Sequence, residues 1–304
     1  MILEENERKI EELEAKIINL DPTSNEFKDV SLSLKQLRDE TYANLTAWDR
    51  VTIARSAKRI KSKALIDKLI TDFYELHGDQ YYADDQSIIA GIGYLGDMPV
   101  TVIGQAKGTN LNESLKRNFG MTSPEGFRKA LRLAHQAEKF NRPIITIVDT
   151  SGAYPGRGAE ARGQARAIAR NLMEFSTLKV PVIAIVLSEG GSGGALALTI
   201  SDYIYMFENA VYSVLSPEGF ASILFKDTVK VEDAAQMMKM TSHDLHEYGI
   251  VDEIIKEPAG GIRFISDEFI KDLKSKLIEK IHELQAMKKK ELLEKRYQKY
   301  RKIS

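Results

Sequence analysis

Two glycine-rich segments could supply binding chemistry, because each follows an apolar run that predicts a buried strand. Residues 151–158 read SGAYPGRG and follow the predicted strand 143–149, and residues 189–194 read EGGSGG and follow the predicted strand 180–187. A helix is predicted after each segment. Glycine lets a ligand approach the backbone closely, and the first N–H groups of a helix lack intrahelical acceptors. Two such donors directed at one oxygen form an oxyanion hole.

Glycine turns of this kind can also serve different purposes. Between a strand and a helix they bind phosphate groups, or simply allow tight packing. The second turn fits G-x-S-x-G, in which Ser192 would be a nucleophile and His243, His246 or His282 its base. None of these histidines has a distinguishing sequence context. Neither turn matches the P-loop or the Rossmann glycine pattern.

The elements around the turns predict an α/β fold. Strands are predicted at 87–94, 98–104, 143–149, 180–187 and 202–207, and helices at 124–140, 160–175, 193–199 and 231–240. Strands that alternate with helices favour parallel pairing. In parallel sheets ligands gather at the carboxyl ends of the strands, which is where both glycine turns fall.

Helical extensions are predicted at both ends of the chain. Apolar residues at heptad spacing indicate a helical hairpin over 1–40, and an apolar stripe indicates a helical segment over 264–304. The core is the part between them, over 41–263. The hairpin could be a surface-docked pair or an oligomer contact. The basic end of the chain, from Lys288 to Lys302, is interpreted as a solvated helix end rather than a nucleic-acid arm.

The composition excludes several classes of protein. With 43 Lys+Arg against 44 Asp+Glu, the net charge of -1 gives no general attraction to nucleic acid or an anionic membrane. The chain has no cysteine, which excludes a disulfide scaffold, a thiolate nucleophile and a cysteine-based zinc site. We expect no metal in this chain. No signal peptide or membrane-length apolar run is recognised, so a soluble cytoplasmic protein is expected.

Six segments of the sequence resemble one enzyme family, in the family's order. The chain is similar to the alpha subunits of bacterial acetyl-CoA carboxylase carboxyltransferase. The matching segments begin with YANLTAWDRVTIAR at 42–55 and run through 72–104, 117–172, 180–198 and 209–227 to DLHEYGIVDEIIKEPAGG at 244–261. Such an ordered series is far more specific than either glycine turn alone.

The resemblance implies a fold, a reaction and a set of partners. The fold is the crotonase-like (ClpP/crotonase) α/β spiral of ββα units. The reaction transfers a carboxyl group from carboxybiotin, on a separate carrier protein, to acetyl-CoA, and gives malonyl-CoA for fatty acid synthesis. The partners are a beta subunit with a four-cysteine zinc ribbon, in an α2β2 assembly, the biotin carboxyl carrier protein and biotin carboxylase. No nucleic acid or membrane partner is implied.

The resemblance also assigns site residues. Backbone donors toward biotin are expected at Gly193, Gly194 and Ala195, and Gly190 and Gly191 would shape the approach. The other wall of the site would be lined by residues of the first turn, namely Gly152, Ala153, Tyr154, Gly156 and Gly158. Glu218 and Gly219 match a further family segment without an assigned role. The chain differs from the usual family residue at several positions, among them Ser151, Arg157, Ala161 and Ile262.

Two other functions remain open at this point. The first is a different acyl-CoA enzyme on the same fold, such as a hydratase, isomerase or decarboxylase, which would need a catalytic carboxylate. Glu189 and Glu160 are the candidates for that role. The second is a non-enzymatic structural relative.

Overall fold

The computed structural model describes residues 2–258, 261–263 and 265–303. Gly260 and Phe264, which belong to the predicted end of the core, lie outside the described residues. Among the described helices, none combines the length and apolarity needed to cross a membrane.

One eight-stranded sheet organises the described chain. Its strands are β1 (Thr71–Glu75), β2 (Ile88–Leu95), β3 (Met98–Gln105), β4 (Ile144–Thr150), β5 (Val182–Gly191), β6 (Tyr203–Phe207), β7 (Val211–Ser213) and β8 (Glu253–Ile255). The order is β1-β2-β3-β4-β5-β6-β8, and β7 pairs with the end of β5. The β1–β2 and β2–β3 pairs are antiparallel, and the pairs from β3 onward are parallel. The predicted parallel α/β arrangement is therefore confirmed.

Fourteen α-helices surround this sheet in the part of the chain that the structure describes. They are α1 (Ile2–Ile18), α2 (Asn25–Ala43), α3 (Ala47–Arg55), α4 (Ser62–Leu69), α5 (Leu111–Lys116), α6 (Pro124–Lys139), α7 (Arg157–Ala161), α8 (Gln164–Phe175), α9 (Ser192–Thr199), α10 (Pro217–Leu224), α11 (Val231–Met237), α12 (Ser242–Glu247), α13 (Asp267–Ala286) and α14 (Lys289–Arg301).

Both faces of the sheet are covered. One apolar cluster joins β3–β6 to α4 and α13, and the other joins β2–β5 to α6, α8 and α9. Strands buried on both faces need continuous apolar sequence rather than alternation. The run IITIVDT of β4, buried at every position, meets this requirement.

The predicted strands and helices are present, with changes to two helices, and several further elements were not predicted. The predicted helix 160–175 is two helices, because the chain breaks at Gly163, whose φ of 84° is left-handed. The predicted helix 231–240 ends at Met237. Strands β1, β7 and β8, of three to five residues, were not predicted, and neither were helices α3, α4, α5 and α10.

Both terminal extensions are helical, as predicted, while the boundaries at residues 40 and 263 remain predictions. In α13 the predicted stripe packs on the sheet through Leu273, Leu277, Ile281 and Leu284. The solvated interpretation of the basic end is wrong for two residues. Arg296 is fully buried and pairs with Asp202, and the half-buried Lys299 pairs with Asp252.

Candidate active site

The two glycine turns lie against each other at the carboxyl edge of the sheet. Thr150 of β4 stands opposite Gly190 of β5, and the chain then enters both turns. A Cβ added to Gly191 would lie 2.1 Å from the carbonyl oxygen of Ser151, and one added to Gly194 would lie 2.5 Å from the nitrogen of Ala153. Contacts this short leave no room for a side chain. These glycines therefore allow the backbones of the two turns to touch.

The start of α9 supplies the donors of the second turn. Ser192, Gly193 and Gly194 are its first three residues, so their N–H groups have no acceptor within the helix. Gly193 is partly exposed, and a Cβ there would meet nothing closer than Ile168 at 3.5 Å. Ala195 is buried and is the fourth helical residue, whose N–H falls opposite the carbonyl of Gly191 in a regular helix. The register thus favours the two glycines as donors, and Ala195 stays a prediction.

Side-chain hydrogen bonds fix the first turn. Thr150 Oγ1 accepts from the Gly152 N–H at 3.1 Å and donates to the Gly152 carbonyl at 2.7 Å. Ala153 forms a parallel bridge with Thr122, and the Tyr154 N–H donates to the Thr122 carbonyl at 3.0 Å. Gln164 Nε2 donates to the Tyr154 carbonyl at 2.9 Å. Gly152 and Ala153 are thereby held beside the second turn.

The remaining predicted residues of the two turns differ in their surroundings. Gly190 is buried against the ring of Tyr212, which a Cβ would approach to 2.7 Å. Gly156 packs on the ring of Tyr154, and Gly158 lies exposed in α7. Gly190 and Gly191 also line a small pocket of about 50 Å³. Gly156 and Gly158 are thus farther along the first turn than the residues that touch the second.

A buried ion cluster at the same edge was not found by sequence reasoning. The Lys107 ammonium lies 2.5 Å from Glu189 Oε2 and 3.1 Å from Asp149 Oδ1. Asp149 is fully buried, and among the described residues its ion-pair partner is Lys107. Burial alone would lower the pKa of Lys107, but the Asp149 and Glu189 carboxylates outweigh it and raise that pKa.

The cluster continues to α10 through Arg55. Arg55 Nε donates to Glu189 Oε1 at 2.8 Å, and its Nη1 donates to Glu218 Oε1 at 2.5 Å. Burial alone would raise the pKa of Glu189, but Lys107 and Arg55 together hold it below its usual range. Glu218, which had no assigned role, therefore ties α10 to the site through a shared guanidinium.

A sequence signal for this cluster does exist. Lys107 lies two residues after the end of β3, and Asp149 is the penultimate residue of β4. Glu189 is the third residue from the end of β5. These three strands are neighbours in the sheet, and β3–β4 and β4–β5 are parallel pairs. Charged residues at the carboxyl ends of adjacent parallel strands must converge, which is the pattern that would have identified them.

A cavity of about 490 Å³ opens beside the cluster. Its charged lining consists of Lys61, Lys107 and Glu189, and Leu111 and Phe119 are its large apolar residues. Ser151 and Glu189 line both this cavity and the 50 Å³ pocket, so the two spaces meet at the glycine turns. The volume falls in the range of small-molecule sites, about 300–1,000 Å³.

A left-handed turn presents Phe119 to this cavity. Asn118, Phe119 and Gly120 have φ values of 48°, 55° and 82°. Left-handed backbone costs of order 1 kcal/mol at a non-glycine residue and concentrates at functional sites. Phe119 is half-exposed despite its apolar ring. The turn thus holds an aromatic face at the cavity at a local cost in backbone energy.

The histidines considered as bases for Ser192 do not support that role. His243 lies 3.3 Å from Ser242 Oγ, and His246 Nδ1 lies 3.0 Å from the Val251 carbonyl. His282 is on α13. Among the described residues, no histidine forms a hydrogen bond with Ser192, and no group of three or more His, Asp or Glu side chains is arranged to hold a metal ion. Ser192 has a left-handed φ of 51°, which the turn itself requires.

The family-atypical positions fall in different places. Ser151 is exposed and lines both spaces of the site, whereas Arg157 and Ala161 are exposed on α7. Ile262 is buried, and its carbonyl accepts from the Ile60 N–H at 2.9 Å. Of these four positions, Ser151 is the one that lines the two cavities of the site.

Comparison with known proteins decides the family. The model of the family described as acetyl co-enzyme A carboxylase carboxyltransferase-like matches residues 2–304. The chain belongs to this carboxyltransferase family. A relative from Bacillus cytotoxicus, named acetyl-coenzyme A carboxylase carboxyl transferase subunit alpha, is 52% identical over 280 residues, which are 92% of this chain and 86% of the relative.

Solved structures place this carboxyltransferase family member in the expected fold. A Pseudomonas malonate decarboxylase hetero-tetramer in complex with coenzyme A is similar with a TM-score of 0.62 at 16% identity, covering 77% of this chain and 90% of that one. Transcarboxylase 12S, with methylmalonyl-coenzyme A and methylmalonic acid bound, is similar with a TM-score of 0.59 at 22% identity. The match covers 72% of this chain and 41% of that one. The predicted crotonase-like α/β fold is confirmed by these similarities.

Proposed function

We propose that this chain is the carboxyltransferase alpha subunit of an acetyl-CoA carboxylase, which moves a carboxyl group from carboxybiotin to acetyl-CoA and gives malonyl-CoA for fatty acid synthesis. The observation that carries the proposal is the contact between the two glycine turns beside a 490 Å³ cavity, in a member of the carboxyltransferase family. The turns offer backbone donors, and the cavity offers room for an acyl thioester.

The chain's own contribution is electrostatic. Carboxybiotin, when bound, supplies an activated carboxyl group. The N–H groups of Gly193 and Gly194 are suited to the oxygen that gains negative charge as the carboxyl group leaves, and the open space at Gly193 fits such an approach. Removing one donor of this kind typically costs about 2.7–4 kcal/mol of barrier. Thr150 and Gln164 fix the first turn, which packs against the second. The donors of the second turn therefore need not reorganise.

A catalytic carboxylate, as in other acyl-CoA enzymes, has less support. Glu189 is bound by Lys107 and Arg55, and its lowered pKa makes it a weak base near neutral pH. Glu160 is exposed on α7. Glu189 thus lacks the raised pKa that a general acid needs, and Glu160 does not line either cavity of the site.

The complete reaction calls for other chains. The reaction develops charge on both biotin and the thioester, and each oxygen needs its own donors. We propose that a beta subunit with a zinc ribbon supplies the second set, since this chain has no cysteine. The assembly would be α2β2, served in the cytoplasm by the biotin carboxyl carrier protein and biotin carboxylase.

A mixing experiment tests the proposal. The chain is purified alone and with the beta subunit, both are given carboxybiotin and acetyl-CoA, and malonyl-CoA is followed by mass spectrometry. We expect product only from the mixture. Robust product from the isolated chain, with no second polypeptide present, would show that the inferred division of labour is wrong. No product from an assembled complex would contradict the proposed reaction.

A further inference from the structure

Lys61 stands at the wall of the 490 Å³ cavity, immediately before helix α4. The neighbouring Ile60 N–H donates to the Ile262 carbonyl at 2.9 Å, which fixes the backbone at this point. The Lys61 side chain makes no capping hydrogen bond to α4. A cation at the beginning of a helix also faces the positive end of the helix dipole, which is unfavourable. The position of Lys61 is therefore not explained by the stability of the helix it precedes.

The ammonium of Lys61 differs from the other cations of the site. Lys107, Arg55 and Arg59 each have a carboxylate within 4.0 Å. For Lys61, the partner among the described residues is the Ser56 carbonyl at 3.2 Å, and no carboxylate of that part of the chain lies within ion-pair distance. Lys61 is half-buried, and burial lowers its pKa. A partly desolvated cation without a counter-ion gains most from an anion that enters its cavity.

The rest of the lining narrows the nature of that anion. Lys107 is already neutralised by two carboxylates, and Leu111 and Phe119 add apolar surface. A ligand that suits this cavity has one negative group for Lys61 and an uncharged part for the apolar wall. Under the proposed function, the carboxyl group in transit is such a group, and comparison with acetyl-CoA separates it from the phosphates of coenzyme A, which both thioesters carry.

We propose that Lys61 is a specificity-determining residue that binds the carboxylate being transferred. The inference rests on the proposed function and names a contact that the function alone does not supply. The carboxylate can come from the donor, as N-carboxybiotin, or from malonyl-CoA after transfer. Acetyl-CoA lacks it, and so does biotin methyl ester, in which the valerate carboxylate is masked, so each carboxylated ligand has an uncarboxylated counterpart for comparison.

Binding measurements on the complex of this chain with its beta subunit test the inference. Lys61→Met is compared with wild type by calorimetry for malonyl-CoA against acetyl-CoA, and by KM for N-carboxybiotin methyl ester against inhibition by biotin methyl ester. We expect about tenfold weaker interaction with the carboxylated member of at least one pair, the size of one charge-assisted contact, and less than about twofold change for its counterpart. The pair that responds identifies the source of the carboxylate.

Two matched variants guard against a merely structural effect. Lys61→Arg keeps the charge and should restore most of the discrimination. Lys58→Met removes an exposed lysine of the same loop, which pairs with Glu11, and should change neither pair. If Lys61→Met folds and assembles but affects both members of each pair equally, or neither, the inference is overturned. The two thioester affinities do not depend on turnover, so an inactive wild-type complex would contradict the proposed function separately.

Discussion

Gly193 and Gly194 are neighbours in α9, yet a side chain would meet different surroundings at the two positions. At Gly194 the Cβ would lie 2.5 Å from backbone atoms of Gly152 and Ala153, whereas at Gly193 the nearest atom is 3.5 Å away. We therefore expect Gly194→Val to destabilise the fold by about 1–3 kcal/mol or more, as overpacking does, and to abolish turnover by separating the turns.

Gly193→Val separates the binding role from the packing role. The chain should fold and assemble, while kcat should fall about 100-fold or more, because the isopropyl group occupies the approach to the N–H groups. Thermal unfolding and carboxyltransferase assays on both variants distinguish the two effects. Near-normal turnover in a folded Gly193→Val complex would remove Gly193 and Gly194 from the oxyanion assignment.

Ser192 tests the remaining nucleophile hypothesis. Its left-handed φ of 51° belongs to the turn, and no histidine among the described residues contacts it. Ser192→Ala should keep kcat within about tenfold of wild type. Ser192→Gly, the control, relieves the backbone strain and should be at least as stable as wild type. A decrease in kcat beyond about a thousandfold in folded Ser192→Ala would restore the hypothesis that Ser192 is a nucleophile.

At this scale the glycines were predicted and the ion cluster was not, although the strand-end positions of its residues carried a signal. Glycine in a strand-to-helix turn serves few purposes, so its sequence pattern is informative. Lys107 and Glu189, by contrast, are 82 residues apart and meet only because their strands share one edge of the sheet. Glu189 was considered as a catalytic carboxylate, but its two cationic partners became visible only in three dimensions.

Among the elements, α14 contacts the core through a buried charged side chain, Arg296. Arg296 donates to the carbonyls of Phe175, Leu178 and Val180, and to both carboxylate oxygens of Asp202. The side chains of Arg296 and Asp202 are 0% and 3% exposed. The guanidinium thus joins the end of α8 and the approach to β5, the strand that leads into the second glycine turn.

Removing this cation should destabilise the chain strongly. Arg296→Met leaves Asp202 buried without its partner, which typically costs about 3–5 kcal/mol. Arg301→Met, an exposed arginine of the same helix, is the control and should change stability by less than about 0.5 kcal/mol. Urea unfolding midpoints measure both variants. Equal midpoints for the two variants would show that the buried pair contributes nothing to α14 docking.

The elements also show where sequence patterns stop being informative. A basic chain end normally indicates a solvated helix, and the pattern does not reveal that Arg296 has a buried aspartate 94 residues away. The break between α7 and α8 depends on a single residue, Gly163. Strands β7 and β8 have three residues each, too few for a periodicity to appear, and are defined only by pairing with β5 and β6.

At the scale of the whole molecule, apolar side chains flank the site on two sides. Leu111, Leu115 and Phe119 lie exposed on the cavity side, and Val214 and Ile223 lie exposed near α10. Helix α10 is tied to the site through the Arg55–Glu218 pair. Exposed apolar groups around a site commonly mark an interface. We expect the beta subunit to cover the α10 side when the complex forms.

The absence of cysteine makes this expectation directly measurable. A single cysteine at Ile223, 76% exposed, should react rapidly with a maleimide in the isolated chain and at least about tenfold more slowly in the complex, because interface cores exclude solvent. Ile18→Cys, 81% exposed at the end of α1, is the matched control and should react at the same rate in both states. Each labelled position is identified by mass spectrometry. Unchanged labelling of Ile223→Cys in an active complex would place the partner on another face, and protection of both cysteines would mean that the terminal hairpin also lies within the assembly.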